Sequence, residues 1–137
     1  MRAGVLVLML VACASKAPAP LAPTPVVAPK PIASEPPDVV RWGELQRELA
    51  GKLRSAPACG GVAEVLRGFV GAHPELRRTF EAVAAWESAT PRHKVDSFYS
   101  KYRADLDVRI DAGIRCKDDK LAREAFDRFF EAAGLAR

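Results

Sequence analysis

The chain has 137 residues, a formal charge of +4, and eight of its eleven prolines crowded into residues 14–37. This leaves about 100 residues for a core, which is room for one modest domain. Over residues 38–137, 18 Lys and Arg are interleaved with 16 Asp and Glu, as in Glu44, Arg47, Glu48 and Lys52. The sequence pI near 9.2 therefore reflects no cationic face, and a nucleic-acid grip is excluded as the expected role.

In chain order, Arg2 is followed by the apolar run Val5, Leu6, Val7, Leu8, Met9, Leu10, Val11 and Ala12. That run is too short to cross a hydrocarbon core of about 30 Å as a helix and suits the apolar region of a signal peptide. Leu10-Val11-Ala12-Cys13 resembles the lipobox of bacterial lipoproteins. The resemblance implies cleavage after Ala12, a diacylglyceryl thioether on Cys13, and acylation of the new α-amino group with chains such as palmitate. The expected divisions are a signal peptide over 1–12, a lipid anchor and Pro/Ala-rich linker over 13–37, and a helical domain over 38–137. Ala14 stands after the cysteine where Asp is associated with inner-membrane retention. By the same resemblance the favoured location is the periplasmic face of the cell outer membrane.

Prolines 18, 20, 23, 25, 29, 31, 36 and 37 punctuate the linker. Proline fixes φ, removes N–H donors and drives the preceding residue toward extended conformations, so this segment is expected to be a disordered spacer of polyproline II character. Its 24 residues reach roughly 70 Å when fully extended.

From Asp38 the apolar period becomes helical. Asp38 is the expected N-cap of a first helix carrying Val39, Trp42, Leu45, Leu49 and Leu53 inward and closed by Pro57. Val62, Val65, Leu66, Phe69 and Val70 mark a second helix that ends at His73-Pro74. A third runs from Pro74 to near Ser88 on Leu76, Phe80, Val83 and Ala84. Thr90 followed by Pro91 reads as cap and first residue of a fourth helix, whose stripe is Val95, Phe98, Tyr99, Tyr102, Leu106, Ile110 and Ile114. Asp118 or Asp119 caps a fifth through Leu121, Ala122, Ala125, Phe126, Phe129, Phe130 and Ala133, stopped at Gly134. The expectation is an all-α bundle of about five helices, with no internal repeat.

With Cys13 committed to lipid, Cys59 and Cys116 form an even pair in an exported, oxidising compartment, where a disulfide is the expected outcome. A zinc or redox site is the competing reading, but the spacing is not CxxC and no ligand histidine is nearby.

Only two histidines are present, which leaves little for acid–base or nucleophilic chemistry. His73 reads as a cap on the preceding helix's carbonyls, and His93 lies between Arg92 and Lys94. There is no phosphate loop and no calcium loop, and Gly60-Gly61 reads as accommodating a disulfide. Neither catalysis, a metal nor a cofactor is expected. Trp86, Tyr99, Phe126 and Phe130 exceed what single stripes require; core filling is one reading, a patch that docks a partner is the other. The expected function is a membrane-tethered interaction or assembly module whose partner is another envelope protein. The alternative is a carrier for a small apolar ligand or lipid.

Overall fold

A computed structural model describes residues 35–135. The lipobox with Cys13, the signal peptide and all but the last three residues of the linker lie outside the described residues. Five α-helices follow in order: α1 (Pro37–Arg54), α2 (Cys59–Ala72), α3 (Leu76–Ala89), α4 (Arg92–Arg115) and α5 (Lys120–Ala132). Among the described residues there is no strand.

Two helix starts differ from expectation in the same way. Asp38 does not cap α1: the Pro36 carbonyl accepts from the Val39 and Val40 N–H groups, and Pro37 is the first helical residue. Asp38 instead sits in the first turn, 3.3 Å from the Arg78 guanidinium. At α4 the Pro91 carbonyl takes the Lys94 and Val95 N–H groups, while Thr90 closes α3. Proline's fixed φ places its extended backbone where its own carbonyl begins the helix, so no side-chain cap is required. At α5 the expected device is present, with Asp119 accepting from the Ala122 N–H at 2.8 Å. At its end, Leu135 N–H reaches the Phe130 carbonyl and Gly134 N–H the Glu131 carbonyl, with Gly134 at φ 76°. That left-handed turn is a Schellman motif, and glycine adopts it without a Cβ penalty.

Helix α1 carries two cores. Its first half gives Val39 and Trp42 to an aromatic core with Val83 of α3 and Phe98 and Tyr102 of α4. Trp42 meets Phe80, Phe98, Tyr99 and Tyr102 with ring centroids 5.6–5.9 Å apart. The Tyr102 ring lies so close to Gly43 that any Cβ there would overlap it. Its second half gives Leu45, Leu49 and Leu53 to an aliphatic core with Leu66 and Phe69 of α2, Ala112 and Cys116 at the end of α4, and Ala125, Phe126 and Phe129 of α5. Phe80 packs against both.

The Cys59 and Cys116 sulfurs stand 2.09 Å apart, at disulfide distance, with Cα atoms 5.5 Å apart. The pair joins the start of α2 to the end of α4.

Candidate functional site

The fourth helix breaks its own pattern halfway. Val95, Phe98 and Tyr102 are buried and Leu106 half-buried, but Ile110 and Ile114 are 53% and 63% exposed. Leu121, expected inward on α5, is 52% exposed as well. Periodicity assigns residues to a face and does not say whether another element covers it; beyond Leu106 none of the described helices does so.

The uncovered face opens on a groove of about 610 Å³ between α4 and α5. Ile110, Gly113 and Ile114 form one wall and Phe126 and Phe130 the other, with Cys116 also lining it. The Phe126 and Phe130 rings lie 6.3 Å apart and stack at 26°. Three cations, Arg109, Lys117 and Arg123, and one acid, Asp127, complete the lining.

Arg109 is the unusual member. Its Nη1 donates to Gln46 Oε1 at 2.8 Å, and its guanidinium lies 5.5 Å from the Phe129 ring centre. Among the described residues no carboxylate lies within ion-pair distance of it. Burial pulls its pKa below the ordinary value, yet a guanidinium stays charged in a protein. Gln46 is itself buried, and its Nε2 has no partner among the described residues. A part-buried cation that meets, among the described residues, a neutral amide and a ring face but no carboxylate lacks the counter-charge that usually accompanies burial. The sequence did carry a sign of it, because the 42, 46, 49, 53 spacing turns Gln46 inward with Trp42 and Leu49.

The four aromatics expected to form a patch are divided. Trp86 belongs to the aromatic core, its ring 4.9 Å from Phe98. Tyr99 lies against Trp42 and Phe98; burial, first, and the neighbouring Glu87 carboxylate hold its pKa above the ordinary value. Phe126, buried in the aliphatic core, and half-buried Phe130 packed against that core also line the groove. The two ends are linked along α4, since a shallower depression of about 410 Å³ lined by Tyr99, Leu106 and Ile110 shares Ile110 with the groove.

His73 caps the end of α2 as expected, through its backbone N–H, which donates to the Phe69 carbonyl at 3.1 Å; its ring is engaged elsewhere. Its Nε2 faces Glu48 Oε1 at 3.1 Å and its Nδ1 faces Glu75 Oε1 at 3.4 Å, with the ring 4.4 Å from Phe69. Glu75 also takes Arg41 at 3.0 Å. Glu75 is held below the ordinary carboxylate value by its own backbone N–H, then by Arg41 and His73. Glu48 is lowered by Lys52 first and His73 second. The cluster ties α1 to the turn between α2 and α3, and it places no nucleophile beside the imidazole. His93 is exposed at the start of α4.

Among the described residues no helix is long and apolar enough to cross a membrane. No group of three or more His, Cys, Asp and Glu there is arranged to hold a metal ion. No protein-family model, curated protein or solved structure matches this chain.

Proposed function

We propose that this protein is a lipid-tethered envelope lipoprotein whose helical domain works by binding, as an interaction or assembly module, with the α4/α5 groove as its working face. The observation that carries the reading is the exposure of Ile110 and Ile114 opposite Phe126 and Phe130. Large apolar side chains gathered on one rim, rather than scattered singly, mark a surface that another molecule covers. The tether rests on the lipobox resemblance at Cys13, and the pairing of Cys59 with Cys116 suits the oxidising compartment such a protein enters.

A second reading, a carrier for a small apolar ligand, is favoured by the size of the groove, which falls in the range of roughly 300–1,000 Å³ typical of small-molecule sites. The test has two arms. Replacing Cys13 with Ser is expected to move the protein from the membrane pellet to the soluble envelope fraction; retention after a salt wash would end the lipid-tether reading. Crosslinking in membranes, against an unrelated lipoprotein as control, is expected to give adducts that Ile110→Asp/Ile114→Asp abolishes. Adducts unchanged in that variant would place the working face elsewhere.

A further inference from the structure

We propose that the occupant of the α4/α5 groove is a long-chain fatty carboxylate, its head on Arg109 and its chain between Ile110 and Ile114 on one side and Phe126 and Phe130 on the other. The inference rests on the reading of this groove as the working face, takes the carrier reading of that face, and names the ligand.

The chemistry of the lining selects it. Three cations and one acid leave the groove net positive. Apart from the charged groups, the lining residues Ile110, Gly113, Ile114, Cys116, Phe126 and Phe130 carry no hydroxyl or amide side chain. A bound molecule therefore needs one anionic group and an otherwise apolar body. Arg109 is a planar fork whose donors match two carboxylate oxygens, and among the described residues it has no carboxylate of its own. A carboxylate head would supply the counter-charge that Gln46 and Phe129 do not. Lys117 and Arg123 add to the same positive field from the rim. A second copy of this chain fits poorly, because two self-facing grooves would bring like charges together. A helix of a partner protein is about 10–12 Å across with its side chains, and a groove of about 610 Å³ accommodates a chain one carbon wide more readily.

Gly113 provides a clean way to close the site. A Cβ there would meet the Phe126 ring at 3.7–3.9 Å, ordinary contact, so Gly113→Leu fills the groove without displacing backbone and replaces a poor helix former. The experiment uses the full chain carrying Cys13→Ser in detergent-free buffer, with the fluorescent fatty acid cis-parinarate displaced by palmitate or by hexadecanol below their aggregation limits. Saturable binding is expected, with palmitate roughly tenfold or more tighter than hexadecanol, the scale of one charge-assisted contact. Gly113→Leu is expected to weaken both ligands by tenfold or more with its urea midpoint retained. Arg109→Lys, which keeps the charge and loses the fork, is expected to shrink the preference for palmitate.

Absence of saturable binding would overturn the inference, as would equal affinity for the two ligands or full binding by Gly113→Leu. The membrane crosslinks separate the two levels. If palmitate fails to bind while Gly113→Leu still loses the parent's adducts, the fatty carboxylate falls and the working face stands. If that variant keeps the adducts, both fall.

Discussion

The two halves of α4 share one helical period and meet opposite fates. Toward its start, Val95, Phe98 and Tyr102 are sealed by Trp42 of α1 and by α3. Toward its end, Ile110 and Ile114 point off the bundle beside an arginine with no carboxylate partner among the described residues. The first half obeys the rule that apolar area leaves water on folding. Two large side chains of the second half do not, and that departure separates what holds the bundle together from what it leaves in water.

The sharpest way to break this contrast is to truncate one residue in each half. Phe98→Ala should cost about 3–5 kcal/mol, as large-to-small changes in a packed core do, whereas Ile114→Ala should stay within about 0.5 kcal/mol. Urea unfolding of the two variants checks this, and similar losses would erase the distinction. The Cys pair comes next, because it closes a loop of 57 sequence steps at the end of α4. Cys59→Ser/Cys116→Ser should lose about 4 kcal/mol in the chain-entropy account. Amide hydrogen exchange should rise first near Ala112–Cys116, with the aromatic half following later; uniform exchange would show that the halves are not separable.

Gly43→Ala is the counterpart on the sealed side. The Tyr102 ring occupies the place of the new methyl, so overpacking should cost about 1–3 kcal/mol, read as a lowered denaturation midpoint. The smallest effect concerns acid. Glu48 and Glu75 have pKa values below the ordinary glutamate value of 4.5, so they bind protons less readily folded than unfolded. Their stabilisation is present above that value and is lost as pH falls through their lowered folded pKa values. Glu48→Gln/Glu75→Gln should therefore flatten the fall in urea midpoint between about pH 6 and about pH 3. An unchanged slope would remove the cluster from the account of acid sensitivity.

How far the sequence reads ahead of the structure differs between the same regions. The five helices follow from apolar spacing, and Gly134 and Asp119 end and begin α5 where turn chemistry places them. Starts at proline were less legible, because a proline carbonyl and a hydroxyl or carboxylate side chain serve the same orphan N–H groups. The groove could not be read from α4 alone. A stripe from Val95 to Ile114 states which residues share a face, while the packing of other helices decides what is covered: Trp42 of α1 and Val83 and Trp86 of α3 meet the Phe98 end, and Ile110 and Ile114 stay exposed. Trp86 and Tyr99 were legible as surplus aromatics but not as members of the Trp42 cluster. Nothing in the sequence sets Arg109 apart from the other interleaved cations; its contacts with Gln46 and the Phe129 ring do so in the fold.

The most direct test of the claim that α4 divides into a structural half and a working half is photo-crosslinking in intact membranes. A photoreactive residue is placed at Ile114, with exposed Arg92 at the start of the same helix as its control. The account predicts a discrete adduct, lipid or protein, from position 114 and none from position 92. Equal labelling at the two positions, or none at either, would contradict it.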